Sequence, residues 1–146
     1  MPVCTFFGSH ESTEGIYNTL VIAIEKLILT EKVDTFYVGN QGNFDRMVRK
    51  ALADIKTRVP GIKCYTVLAY IPGKKREGEP PEILETIVPE GVEIVNPRFA
   101  IPFRNCWMVN RSDFVIAYPS NFGNSKKMME LATRKNKAII DLSKHE

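Results

Sequence analysis

The sequence predicts an α/β fold, a single domain with a Rossmann-like parallel sheet and helices on both faces. Three observations predict it. Short β-favouring apolar runs alternate with helix-spaced apolar patterns from one end of the chain to the other. The run Ile62–Ala69 is almost continuously apolar, as a strand covered on both faces must be. The 146 residues are 44% hydrophobic and 25% charged, which suits one core and one domain. Strands that alternate with helices in this way build a parallel sheet through right-handed crossovers.

The elements follow in order. Val3–Phe7 is a β-favouring run stopped by Gly8. The polar loop after it offers Ser12 or Thr13 as an N-cap. Ile16, Leu20, Ile24, Leu27 and Ile28 recur at helical spacing, so a helix runs from Glu14 to about Leu29. Thr35–Val38 is the second strand, stopped by Gly39-Asn40-Gln41-Gly42. Phe44, Met47, Val48, Ala51, Leu52 and Ile55 mark a second helix, which Pro60-Gly61 ends. The third strand is Ile62–Ala69, and the Gly/Pro/Lys-rich stretch Pro72–Pro81 is a loop. Residues 83–88 read as a short helix or turn, and Val92–Val95 as a short strand. Pro102 argues against helix before it, so the next helix begins near Phe103. Phe114–Tyr118 is a strand, Ser125–Arg134 a helix and Ala138–Ile140 the last strand. No internal repeat and no second domain emerges in residues 1–146.

Composition excludes several classes. The formal charge of +3 does not by itself imply a nucleic-acid partner. No apolar run approaches the ~18 residues of a membrane helix. The start Met1-Pro2-Val3-Cys4 lacks the basic and apolar regions of a signal peptide, so a cytoplasmic location is expected. The three cysteines are far apart, and Cys4 and Cys64 sit inside strand-like runs, which predicts reduced, buried thiols.

In a parallel sheet, ligands bind outside the carboxyl ends of the strands. Three polar, Gly-rich loops leave those ends, and each opens a helix. They are Gly8-Ser9-His10-Glu11-Ser12, then Gly39-Asn40-Gln41-Gly42-Asn43 running into Phe44-Asp45, then Pro119-Ser120-Asn121-Phe122-Gly123-Asn124-Ser125. One such loop is only what a turn requires. Three on one edge predict a cleft, and helix N-termini there suit phosphate or another anion. None matches G-x-G-x-x-G or a P-loop, so ordinary dinucleotide binding and ATP hydrolysis lose support.

Individual residues carry weaker signals. His10 can bind a phosphate or move a proton, or it is a surface histidine. With no second ligand residue nearby it makes no metal site, and no metal or cofactor is expected. Lys126 and Lys127 fall in the first turn of a helix, where cations oppose the helix dipole unless an anion sits beside them. Arg104 is a candidate to face the cleft, with Asn105, Trp107 and Arg111 nearby in sequence. Glu11 and Asp45 are the carboxylates available for acid chemistry, and neither is assigned as catalytic. Lys74-Lys75-Arg76 reads as a solvated loop. With exposed aromatics it is also the feature that single-stranded DNA binding would use.

These residues resemble the SLOG superfamily over nearly the whole chain. The resemblance rests on Thr5-Phe6-Phe7-Gly8-x-His10, on Gly39-x-x-Gly42-x-Phe44-Asp45, and on Arg104-Asn105-x-Trp107-Met108-Val109-x-x-Ser112-Asp113. It is completed by Gly123-Asn124-Ser125 with Ala132 on the following helix. The chain is most similar to the small stand-alone members found in bacteria and their phages. The resemblance implies a nucleotide-related ligand, and the polar loops and helix starts offer Gly8, Ser9, His10, Gly39, Asn40, Gly42, Asn43, Asp45, Arg104, Asn121, Gly123, Asn124, Ser125, Lys126 and Lys127 to hold it. It also implies a homo-oligomer, which an aliphatic surface on the first helix and the Phe99–Trp107 region would serve.

Three branches of the superfamily set the expectations for activity. The lonely-guy phosphoribohydrolases split a base from a nucleoside monophosphate, others sense nucleotide signals, and the DNA-processing protein A group binds single strands. Two departures matter. Ser9 is inserted before His10, and Glu11 stands where the small proteins carry arginine. The lonely-guy pattern Pro-Gly-Gly-x-Gly-Thr-x-x-Glu falls on Pro119–Lys127, with two glycines lost and Lys127 in place of the acid. Binding or sensing of a ribose-phosphate ligand is therefore the leading expectation, with an N-glycosidase of altered active site as the alternative and single-stranded DNA binding as the second.

Overall fold

The computed structural model describes residues 2–9, 14–70, 82–119 and 124–144. Six strands form one sheet: β1 (Val3–Gly8), β2 (Thr35–Val38), β3 (Lys63–Val67), β4 (Glu85–Ile87), β5 (Phe114–Tyr118) and β6 (Ala138–Asp141). All neighbours are parallel, in the order β4-β3-β2-β1-β5-β6. Four helices connect them: α1 (Tyr17–Glu31), α2 (Gly42–Arg58), α3 (Ala100–Arg111) and α4 (Asn124–Arg134). This is the Rossmann-like α/β architecture expected.

Side chains alternate across a strand, so each strand feeds two cores. On one face, Cys4, Phe6, Phe36, Val38 and Ile116 pack against Leu20, Ile24 and Leu27 of α1 and Phe44, Val48 and Leu52 of α2. On the other, Phe7, Val67, Val115 and Ala117 meet Met108 and Val109 of α3 and Met128 and Ala132 of α4. Cys4 and Cys64 are buried free thiols. Burial raises both thiol pKa values, that of Cys64 to about 11.

Four expectations need correction. Residues 85–87 are not helix or turn but the edge strand β4, which pairs with β3 through Tyr65↔Glu85 and Val67↔Ile87. Its Glu85 and Thr86 are exposed, so no apolar pattern announces it. Val92–Ile94 is a short tight helical turn rather than a strand, because Gly91 takes a φ of 92° and Ile94 N–H returns to the Gly91 carbonyl at 3.2 Å. The helix α3 begins at Ala100, ahead of Pro102. Proline is tolerated there because first-turn N–H groups have no intrahelical acceptor. Finally, β3 spans Lys63–Val67, shorter than Ile62–Ala69.

No helix of the described residues is long and apolar enough to cross a membrane. Ile22 and Leu29 of α1 are exposed, as are Ile94 and Phe99. Beside Ile22, an apolar groove of about 490 Å³ runs between α1 and the β6 edge, lined by Ala23, Leu27, Phe114, Ile140 and Leu142 among others.

Candidate functional site

The strand order fixes where a crevice can open. From β1 the chain builds outward through β2, β3 and β4, then crosses to the other side of β1 and adds β5 and β6. The connections after β1 and β5 therefore leave the sheet in opposite directions, and this switch point is where open parallel sheets hold ligands. β1 and β5 stay paired to the last residue of each, Gly8↔Tyr118, and Ser9 N–H still donates to the Tyr118 carbonyl at 3.1 Å. Beyond those residues lie His10, Glu11, Asn121 and Gly123, outside the described residues, as are Lys74, Lys75 and Arg76.

The second loop is locked to the first by packing. The Phe44 ring, buried in the first turn of α2, lies against Gly8 so closely that a Cβ at Gly8 would overlap it. Gly42 opens α2 with a φ of 85°, a conformation that glycine adopts without penalty. One residue earlier, Gln41 N–H donates to Asp45 Oδ2 at 3.0 Å. A carboxylate in the first helical turn also offsets the positive end of the helix dipole.

Gly39 has a different reason to be glycine. A Cβ there would stand 2.7 Å from Asp45 Oδ2 and 3.0 Å from Arg104 Cζ, so the backbone of the loop fits between an acid and a guanidinium. Arg104 reaches this point from α3 and is only 2% exposed. Its Nε donates to Asn105 Oδ1 at 2.7 Å, and its Nη1 to the Val67 carbonyl at 3.0 Å and Asn40 Oδ1 at 3.2 Å. Burial lowers the Arg104 pKa, and Asp45 and then Tyr70 pull it back up. Arg104, a candidate to face a cleft, is instead buried, and it ties the ends of β2 and β3 together from α3.

On the other side of the sheet Arg49 does a similar job. Its Nη1 donates to the Gly39 carbonyl at 3.1 Å, while its Nε is 3.9 Å from Glu82 Oε1. That same carboxylate oxygen accepts from buried Thr66 Oγ1 at 3.0 Å. Arg49 and Glu82 are absent from the candidates read in the sequence. They lie far apart along the chain, and only the folded sheet brings them together.

At the third loop, Ser125 is buried and Asn124, Lys126 and Lys127 are exposed in the first turn of α4. Asn43 is exposed in the first turn of α2. Arg111 and Trp107 fall elsewhere. The Arg111 guanidinium stacks on Trp107 at 4.2 Å, and Trp107 packs on Tyr37 at 5.2 Å. Arg111 ends α3 just ahead of the start of β5, at the opposite edge from the cleft. Among the described residues, no group of three or more His, Cys, Asp or Glu is placed to hold a metal ion.

The fold is that of a Rossmann-like α/β protein whose strand order reverses between β1 and β5, with Gly8 and Gly39 closely packed at the ends of β1 and β2. No protein-family model matches the chain. It is similar to a probable cytokinin riboside 5'-monophosphate phosphoribohydrolase of Oryza sativa subsp. japonica, at 25% identity over 130 residues. That similarity covers 89% of this chain and 54% of the rice protein, so the chain spans about half the length of the curated relative it matches.

Proposed function

We propose that the protein binds a nucleotide-derived ligand bearing a ribose phosphate, in the crevice at the carboxyl ends of β1, β2 and β5, as a SLOG-type binding or sensing protein. The observation that carries this reading is the strand order, which reverses between β1 and β5, so that the helices following these two strands, α1 and α4, pack on opposite faces of the sheet. The start of α2, after Gly42, and the start of α4, with Lys126 and Lys127, add helix N-termini and positive charge suited to an anion. Similarity to a phosphoribohydrolase of a riboside monophosphate supports a ligand of the same chemical kind.

The same similarity favours a second reading, cleavage of the base from a nucleoside monophosphate. Against it, Lys127 occupies the position of the acid in the lonely-guy pattern. A cation there would repel the charge of an oxocarbenium-like transition state. Asp45, the carboxylate candidate among the described residues, is engaged by Gln41 N–H. Binding without turnover is therefore the expected behaviour. Calorimetric titration with AMP and ribose 5-phosphate, followed by chromatography of each mixture, tests both readings. Binding with no free adenine supports the first. Free adenine supports the second, and no binding of either compound contradicts both. Self-association through the exposed Ile22 and Leu29 of α1 is proposed alongside, and light scattering that gives a monomer mass at tens of micromolar would contradict it.

A further inference from the structure

Asn40 is exposed at the carboxyl end of β2, yet its side chain is not free to turn. Arg104 Nη1 points at one of its terminal atoms from 3.2 Å. A guanidinium only donates, so that atom is the carbonyl Oδ1 and not the amide nitrogen. Gln41 Nε2 donates to the same oxygen at 3.3 Å. With Oδ1 held from two sides, Nδ2 is turned away from Arg104, and it donates to none of the described residues. Arg104 is itself immobilised by the Val67 carbonyl and Asn105.

We infer that Arg104 is a positioning residue that leaves the exposed Asn40 side chain only its amide donor to offer, and that Asn40 reads an acceptor oxygen of the ribose-phosphate ligand. The inference rests on the function proposed above and deepens it by naming a specificity determinant. Its location fits the task, because Asn40 directly precedes Gln41 and the start of α2, where unpaired helix N–H groups also seek an acceptor. The Asp45 carboxylate is engaged by Gln41 N–H and acts on Arg104. Where dinucleotide-binding folds place an acid at the end of the second strand to accept from ribose hydroxyls, this chain places an oriented donor, which can donate to phosphate and hydroxyl oxygens alike.

Two variants separate the parts of this inference. Asn40→Asp keeps an oxygen for Arg104 and replaces the outward donor by an acceptor carrying charge. Arg104→Lys keeps the charge but replaces the planar fork by a single flexible ammonium. Titration with ribose 5-phosphate should show Asn40→Asp binding at least ~10-fold more weakly than the wild type, with thermal stability unchanged or raised. Equal affinity in wild type and Asn40→Asp would overturn the role of Asn40. The amide-proton pair of Asn40, identified in ¹⁵N spectra by its loss in Asn40→Asp, should move toward the position of a free side-chain amide in Arg104→Lys. An unmoved pair would overturn the positioning by Arg104. If the wild type itself binds neither ribose 5-phosphate nor AMP, the proposed function and the ligand named here fall together, while the amide spectra still decide the positioning.

Discussion

The Phe44 ring occupies the space that any side chain on Gly8 would need, so the ends of β1 and the start of α2 are packed as one unit. Glycine at position 8 is thus required by close approach. Gly8→Ala should destabilise the fold by about 1–3 kcal/mol, as overpacking does. In a Phe44→Leu background the same substitution should have a smaller effect, because the obstacle is reduced. Chemical denaturation of the four proteins gives the coupling. Additive effects would mean that the two residues do not meet.

Arg104 ties together β2, β3 and α3 from a buried position. Replacing it by Met leaves the Val67 carbonyl without that donor and removes the charge beside Asp45. A loss of about 3–5 kcal/mol is expected, the range for breaking a buried charged interaction. Thermal melting of Arg104→Met checks this, and a stability within about 0.5 kcal/mol of wild type, typical of a surface substitution, would contradict it.

Alkaline pH should destabilise the protein in a defined window. Burial raises the Cys64 thiol from its ordinary 9.0 to about 11. Burial, then the hydrogen bond to Asp54, raises the Tyr17 hydroxyl from 10.0 to about 12. In both groups the folded state holds the proton more tightly than the unfolded state. Their contribution is fully present below pH 9 and is lost as pH rises through 9 to about 12. Urea midpoints measured across that range should fall, and less steeply in Tyr17→Phe. A flat profile would show that neither shift exists.

Thiol chemistry should distinguish the three cysteines. Cys4 and Cys64 are buried with raised thiol pKa values, while Cys106 is half-buried on α3. An aromatic disulfide at pH 8 should label Cys106 in the native protein, and the other two only after denaturation. Prompt labelling of Cys4 would contradict the place of β1 at the sheet centre.

What the sequence made legible follows from what its residues have to do locally. Val3–Phe7, Thr35–Val38 and Phe114–Tyr118 lie in the centre of the sheet, so their side chains are apolar and β-favouring, and the runs announce themselves. β4 sits at the edge with Glu85 and Thr86 exposed, and nothing in its composition separates it from a turn. Pro102 misleads for a similar reason, since its meaning depends on whether it falls in the first turn or the interior of a helix. The Gly-rich loops were visible because glycine and asparagine cluster in sequence. The contacts that shape them were not, because Arg49, Glu82, Val67 and Arg104 come from separate elements and meet only after the sheet is assembled.

Lys126 and Lys127 lie exposed where α4 begins. Converting both to Glu should leave thermal stability unchanged or raised, since acidic residues suit a helix N-terminus. The affinity for AMP should nonetheless fall at least ~100-fold if each lysine makes a charge-assisted contact worth about 1–2 kcal/mol. Undiminished affinity would mean that the lysines are merely solvated.

The central claim is that a ribose-phosphate ligand sits at the switch point between β1 and β5. A ¹⁵N-resolved titration of the intact protein with AMP tests it most directly, because the readout is residue by residue. Saturable shifts are expected, concentrated at Gly8, Ser9, Asn40, Gln41, Gly42 and the start of α4 around Asn124 and Ser125. Shifts confined to the α1–β6 groove around Ile22, Ile140 and Leu142, or no saturable shifts at all, would contradict it.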